Sequence, residues 1–271
     1  METLEPIVRL DKDLKAAATT LSVVEARYLV DQYYVLQHDR IRAAHQVRAT
    51  AEAQEPHQLL QWVQTNTGVL EQNIKRALDA YTDSNIVGRW SKSIVGVGPV
   101  IAAGLLAHID VAQAPTVGHI WRFAGLDPTV TWGKGEKRPW NARLKTLCWK
   151  IGESFVKVSG REGDFYGQLY LQRKAIEVER NEAKAFAAQA AASLAGKRYG
   201  ADTQARKAYE QGMLPPARIH LRAERWAVKI FLAHWHAVAY RAKFGTDAPK
   251  PYVLAILGHA DEIQVPNWPW A

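Results

Sequence analysis

The sequence predicts an all-α protein, on two observations. Apolar residues recur at helical spacing through most of the chain, and Ser22-Val-Val-Glu25 has the spacing of a capping box, in which serine hydroxyl and glutamate carboxylate satisfy each other's free backbone donors. With 271 residues and 48% apolar content, the chain can fill one large core or two small ones.

Taken in order, Val23, Val24, Tyr28, Leu29, Tyr34, Leu36, Ile41 and Val47 mark a first long helix to about Ala53. A second runs from about His57 to Tyr81 through Leu59, Leu60, Val63, Val69, Leu70, Ile74 and Leu78, with an interruption expected at Thr67-Gly68. The short join predicts an antiparallel helical hairpin or coiled coil over residues 1–85, structural or dimerising in role. From residue 86 glycines come in pairs and tryptophans cluster. Turn-prone pieces occupy residues 111–138, and helical patterns resume over Trp140–Val158 and Phe165–Ala195. The alanine-rich tract Ala183–Ala195 forms helix readily but buries little by itself, so it is expected to project or to pack on a partner. A polar link, Lys197–Pro216, leads to a last long helix, Ala217–Phe244. The tail, with tryptophans at 268 and 270, is expected to fold back as an apolar strap.

The charge is uneven. Lys and Arg total 35 against 27 Asp and Glu, a net +8. Residues 1–90 hold 10 basic and 12 acidic side chains, which leaves 25 against 15 for residues 91–271. A basic C-terminal part points to a polyanion partner, nucleic acid above all. The alternative is a basic surface that serves only solubility. One cysteine, Cys148, rules out an internal disulfide, and no apolar run is long enough to span a bilayer. A cytoplasmic protein is the expectation.

The sharpest local signal is Ile94-Val-Gly96-Val97-Gly98-Pro99, followed by Val-Ile-Ala-Ala-Gly-Leu-Leu. A helix ending before the glycines and another starting at Pro99 would make a helix-hairpin-helix, whose free amides can hold a phosphate oxygen. Such a contact reads backbone and not sequence. Two other readings stay open, a purely structural turn and a nucleotide site, although the latter needs a preceding strand. The following Pro115-Thr-Val117-Gly-His119 superficially resembles base-excision glycosylases, but Val117 and Val100 stand where those enzymes place aspartate and lysine.

Between residues 134 and 150 lie Lys134, Lys137, Arg138, Arg143, Lys145 and Lys150, with Trp132, Trp140 and Trp149 interleaved. Cations for phosphates and indoles for unpaired bases suit a strand or junction binder. Trp149 is expected in the core, and Trp132 and Trp140 are undecided. On the last helix, Arg218, Arg222, Arg225 and Lys229 form a basic face. His234 and His236, two residues apart, face different ways, and His220 could meet His234 or His259 only through folding; with one cysteine and no ligand cluster, the sequence reads as having no metal site of its own.

Gly96-Val-Gly-Pro, Ile101-Ala-Ala-Gly-Leu-Leu-Ala and Phe123-Ala-Gly-Leu-Asp127-Pro128, with the basic loop behind them, resemble the C-terminal transposase domain of the insertion-sequence family one-ten/one-sixteen/nine-oh-two. The similarity extends over about residues 58–180 and 217–245. The resemblance implies DNA recombination by a RuvC-like nuclease fold with four acidic metal ligands, a serine nucleophile and a guide RNA. This chain departs from that pattern. Its first 90 residues read as helices, with only Val8-Arg-Leu-Asp11-Lys-Asp13 echoing the family's opening strand, and Asp11 is either a metal ligand or a helix-start carboxylate. The family's serine falls near Gly133, leaving Thr129, Thr131 and the later Ser154 as candidate nucleophiles.

The expected function is therefore DNA binding in transposition or recombination, with Gly96, Val97, Gly98, the basic loop, Arg222 and Arg225 on the phosphates. The alternative is an active recombinase that uses a substituted hydroxyl and a divalent metal whose ligands a partner supplies. The expected partners are DNA, branched or single-stranded, a guide RNA and a second copy of the chain, with no membrane.

Overall fold

The computed structural model describes residues 11–51, 58–133, 135–250 and 263–270. Among them there are eleven α-helices and no strand, which is the all-α fold expected. Helix α1 (Lys12–Ala17) starts at Asp11, whose carboxylate accepts from the Leu14 amide at 2.7 Å. Asp11 is thus a helix-start carboxylate; Val8 to Leu10 lie outside the described residues.

Ser22 and Glu25 close the capping box at the head of α2 (Val23–Ala51). The Ser22 amide donates to Glu25 Oε2 at 2.8 Å and the Glu25 amide to Ser22 Oγ at 3.3 Å. Helix α3 (Gln58–Asp83) returns antiparallel, bringing Leu78 beside Val30 and buried Glu71 onto Arg40. No break occurs at Thr67-Gly68, because Gly68 lies inside the helix against the aliphatic part of Arg40.

The hairpin does not stand apart. Val30 and Leu78 share a buried cluster with Val100 and Ala103 of α5 (Pro99–His108), and the Arg27 guanidinium donates to the Ala107 carbonyl at 2.6 and 3.1 Å. A cation on the last carbonyls of a helix satisfies acceptors that have no partner within it.

The main core gathers the buried faces of α4 (Ile86–Lys92), α5, α6 (Val117–Phe123), α7 (Ala142–Val158), α8 (Phe165–Glu182) and α11 (Pro216–Phe244). Leu144, Leu147, Ile151 and Phe155 form the inward stripe of α7 at helical spacing. Phe155 stacks on Tyr166 at 4.9 Å and meets Phe231 edge-on at 5.4 Å, while Trp90 stacks on Phe231 at 6.0 Å. Helices α8 and α11 run antiparallel, pairing Tyr166 with His234 and Glu177 with Arg222. Over residues 263–270 the tail is the expected strap: Val265, Trp268 and Trp270 pack on the core, and the Trp90 indole donates to the Pro266 carbonyl.

Three expectations fail beyond residue 180. The helix starting at Phe165 ends at Glu182, where Lys184 adopts a left-handed φ of 59°, and α9 (Ala187–Gly196) follows. The link contains α10 (Gln204–Glu210). The alanine tract finds cover within the chain, because Ala190 and Phe186 pack with Tyr209, Leu214 and Ile219.

No helix among the described residues is long and apolar enough to cross a membrane. Cys148 is buried, and burial pushes its thiol up to about 12.

Buried His234 has both ring nitrogens engaged. Its Nε2–H donates to the Ile263 carbonyl at 2.9 Å, so Nδ1 accepts from the Tyr166 hydroxyl at 2.7 Å. Burial lowers its pKa from 6.5 to about 4. The unfolded chain therefore takes up a proton below pH 6.5 that the fold refuses, so this stabilisation is complete above pH 6.5 and is lost as pH falls toward 4. In pH-dependent denaturant unfolding, His234→Gln should flatten the slope between pH 6.5 and 4.5 by up to about 1.4 kcal/mol per pH unit.

Candidate nucleic-acid interface

Helix α4 is capped by Asn85, whose side chain accepts from the Val87 amide at 2.8 Å, and it ends in a turn that leads into α5. Within the turn the Val97 amide donates to the Ile94 carbonyl at 2.9 Å, and Gly96 stands at φ +96°. That backbone region favours glycine, and a Cβ on Gly96 would press on Val158 and Phe155. The Ser154 hydroxyl donates to the Gly96 carbonyl at 2.5 Å, fixing the turn to α7. Gly98 is the extended N-cap of α5, with open space around it, and Pro99 follows in the first turn.

The amides of Gly96, Gly98, Val100 and Ile101 meet no acceptor among the described residues. Val97 differs, because its side chain is buried and its amide is already bonded.

After α6 the chain turns through Asp127, which accepts from the Thr129 amide at 2.9 Å and its hydroxyl at 2.7 Å. These bonds hold the Asp127 carboxyl below its usual value, which makes it a weak base for that hydroxyl. Thr131 is exposed in the same loop, whereas Ser154 lies far along α7. The three candidate nucleophiles are not brought together.

The basic loop closes on itself through the Trp132 indole, which donates to the Glu136 carbonyl at 2.7 Å, and the Gly133 amide, which donates to the Glu136 carboxylate at 2.9 Å. Asn141 then caps α7, its side chain accepting from the Leu144 amide at 3.0 Å. Trp132 and Trp140 meet edge-on, Arg138 lies over Trp132, and the Lys145 ammonium sits 4.0 Å above Trp140. Lys137 is exposed beside them, and Lys134 lies outside the described residues.

Arg143 and Lys150 are turned toward the N-terminal hairpin. Arg143 pairs with Asp31, and the Lys150 ammonium lies 4.0 Å over the Tyr34 ring. The expectation of a buried Trp149 is overturned: spaced from Lys145 and Glu153 by one helical turn on each side, it is 52% exposed.

Across from α7, α11 supplies Arg225 and Lys229, while Arg222 is bound to Glu177 at 2.9 Å and stacks on Phe186. Lys145 has its pKa lowered by burial, then by Arg225 and Arg138. Arg225 is lowered by burial, then by Arg222 and Arg218. Each cation is thus held where its neighbours disfavour its charge. Among the described residues, Lys137, Arg138, Lys145, Arg225 and Lys229 have no carboxylate within 4.0 Å.

Sequence reasoning missed Trp121, whose indole donates to the Lys229 carbonyl at 3.1 Å while Lys229 lies over its ring at 4.2 Å. It also missed a cluster of Glu153, His220 and Glu224 beside this face. The four-residue spacing of His220 and Glu224 on one helix was the available signal.

The glycine turn and the tryptophan face are separate surfaces. The first meets α7 at Ser154, and the second runs along the same helix from the Asn141 cap through Lys145 to Trp149, which precedes Ser154 by five residues.

Residues 91–147 match the family model described as the transposase IS116/IS110/IS902 family. The match runs from the end of α4 into the second turn of α7, and over this segment it bears out the resemblance drawn from the sequence. It supports a transposase-like role in transposition. No curated protein and no solved structure matches the chain.

The two glycines should respond differently to substitution. Gly96→Val places a branched side chain at a left-handed φ against Val158 and should cost about 2–4 kcal/mol in denaturant unfolding. Gly98→Ser enters open space at a helix N-cap and should change stability by less than about 0.5 kcal/mol.

Proposed function

We propose that the face formed by the 129–141 loop, the start of α7 and the middle of α11 binds the backbone of DNA during transposition or recombination, with the glycine turn as a second phosphate contact. The observation that carries this reading is the group Arg138, Lys145 and Arg225. Arg225 and Arg138 both disfavour the charge of Lys145, and among the described residues none of the three has a carboxylate within 4.0 Å, on a face that includes part of the transposase-matched segment. A polyanion relieves that repulsion and releases its own counterions on binding.

Trp132 and Trp149, 40% and 52% exposed, supply surfaces on which unpaired bases stack, which favours single-stranded or branched DNA over plain duplex. The N-terminal hairpin pairs two copies of the chain: Val24, Tyr28 and Val35 are more than half exposed along α2. Guide RNA is the other polyanion suited to the same face.

The deciding measurement is fluorescence anisotropy with duplex, single-stranded and four-way-junction DNA across a salt series. Lys145→Gln and Arg225→Gln should each reduce the log-log salt slope by about one, and Trp149→Ala should weaken single-stranded binding by about 1–3 kcal/mol with little effect on the slope. Salt-insensitive binding, or none at low salt, would refute the reading. In sedimentation, Val24→Glu with Tyr28→Glu should shift a dimer to monomer.

A further inference from the structure

Where α7 packs on α11, Gly152 faces the Glu224 side chain. A Cβ on Gly152 would collide with the Glu224 carboxylate, standing only 2.7 Å from Cδ, so the glycine admits an acidic side chain between two packed helices. Glu224 is 3% exposed, and its Oε2 is buried without a hydrogen-bond partner. A buried carboxylate in that state costs several kcal/mol unless something compensates it.

The groups facing Oε2 are chemically specific. His220, one turn earlier on α11, directs Nε2 toward Oε2 at 3.5 Å without hydrogen-bond alignment. Its other nitrogen, Nδ1, lies 2.8 Å from the Tyr170 hydroxyl of α8. Glu153 of α7 completes the group, and one ligand atom from each of the three lies within 4.8 Å of the others. Burial and the nearby Glu153 push the Glu224 carboxyl up to about 7. The surrounding cations are Arg225, which opposes that rise, and Lys157, 3.9 Å from Glu153 Oε2.

We propose that Glu153, His220 and Glu224 form a binding site for a divalent transition-metal ion, Zn²⁺ or Mn²⁺, held entirely within this chain. Two carboxylates balance the ion's charge, and the imidazole favours these ions over Mg²⁺ or Ca²⁺. With metal–ligand bonds of about 2.1 Å, neighbouring ligands of a tetrahedral ion stand about 3.4 Å apart, close to the Nε2–Oε2 separation here. With Nε2 on the ion, Nδ1–H donates to the Tyr170 oxygen, which fixes the ring orientation. Glu153 and His220 are only half-buried, so the ion has an entry path and positions open to water or a phosphate oxygen. The site stands independently of the nucleic-acid reading.

The test uses tag-free full-length chain stripped with a chelator, then titrated calorimetrically with ZnCl₂ and MnCl₂ at pH 7.5, with bound metal counted by mass spectrometry. One equivalent of either ion should bind, at least ten-fold more weakly in His220→Ala and Glu224→Gln and unchanged in the control His119→Ala. Gly152→Ala should weaken binding without removing a donor. Should Glu224→Gln fail to fold, as judged by circular dichroism, Glu153→Gln on the solvent side replaces it. Absence of saturable binding, or binding indifferent to these substitutions, overturns the proposal. DNA anisotropy on the same variants separates this outcome from failure of the nucleic-acid interface.

Discussion

The packing of α7 into the core is the constraint on which the functional surfaces depend. Its buried stripe, Leu144, Leu147, Ile151 and Phe155, lies against α5, α8 and α11 and sets the helix's rotation about its own axis. Once that rotation is fixed, every other side chain on α7 has an assigned neighbour. Arg143 and Lys150 reach the N-terminal hairpin, Lys145 and Trp149 face solvent beside α11, Gly152 and Glu153 meet Glu224, and Ser154 holds the glycine turn. A change in the stripe would therefore disturb four surfaces together.

That geometry explains why six basic residues close in sequence do not act as one patch. Helical periodicity sends Arg143 and Lys150, seven residues apart, to one side, and Lys145 with Trp149 to another. The first pair serves the fold: Arg143 has a carboxylate partner and Lys150 an aromatic ring. The second side gains Arg225 and Lys229 from α11, and among the described residues none of its cations has a carboxylate within 4.0 Å. Local charge density in the sequence thus overstates the proposed interface at one end and omits half of it at the other.

Features set by neighbours in sequence were legible there. The capping box, the Gly98-Pro99 helix start and the periodic runs depend on residues within one turn, so pattern and conformation coincide. Features set by tertiary contact were not. Gly68 reads as a break but continues α3 because its neighbours along the hairpin are packed. The left-handed Lys184 carries no local signal, and neither does the exposure of Trp149, which follows from the α7 stripe facing away from it. The Glu153, His220 and Glu224 cluster needed two helices in contact, and only its i, i+4 half was visible on a single one.

The boundary of the family match gives the site its particular character. The matched segment ends at residue 147, inside α7, so it contains the glycine turn, the Asp127 loop and Lys145 but neither Arg225, Lys229 nor any member of the Glu153, His220 and Glu224 cluster. Each of the two proposed sites is completed by α11, which arrives about seventy residues after the match has ended. Part of the charge that disfavours Lys145, that of Arg225, comes from across that interhelical seam, and so does the carboxylate that Gly152 admits. The transposase-matched segment supplies one wall of the proposed interface, and the folding of α11 onto α7 decides which chemistry that wall meets.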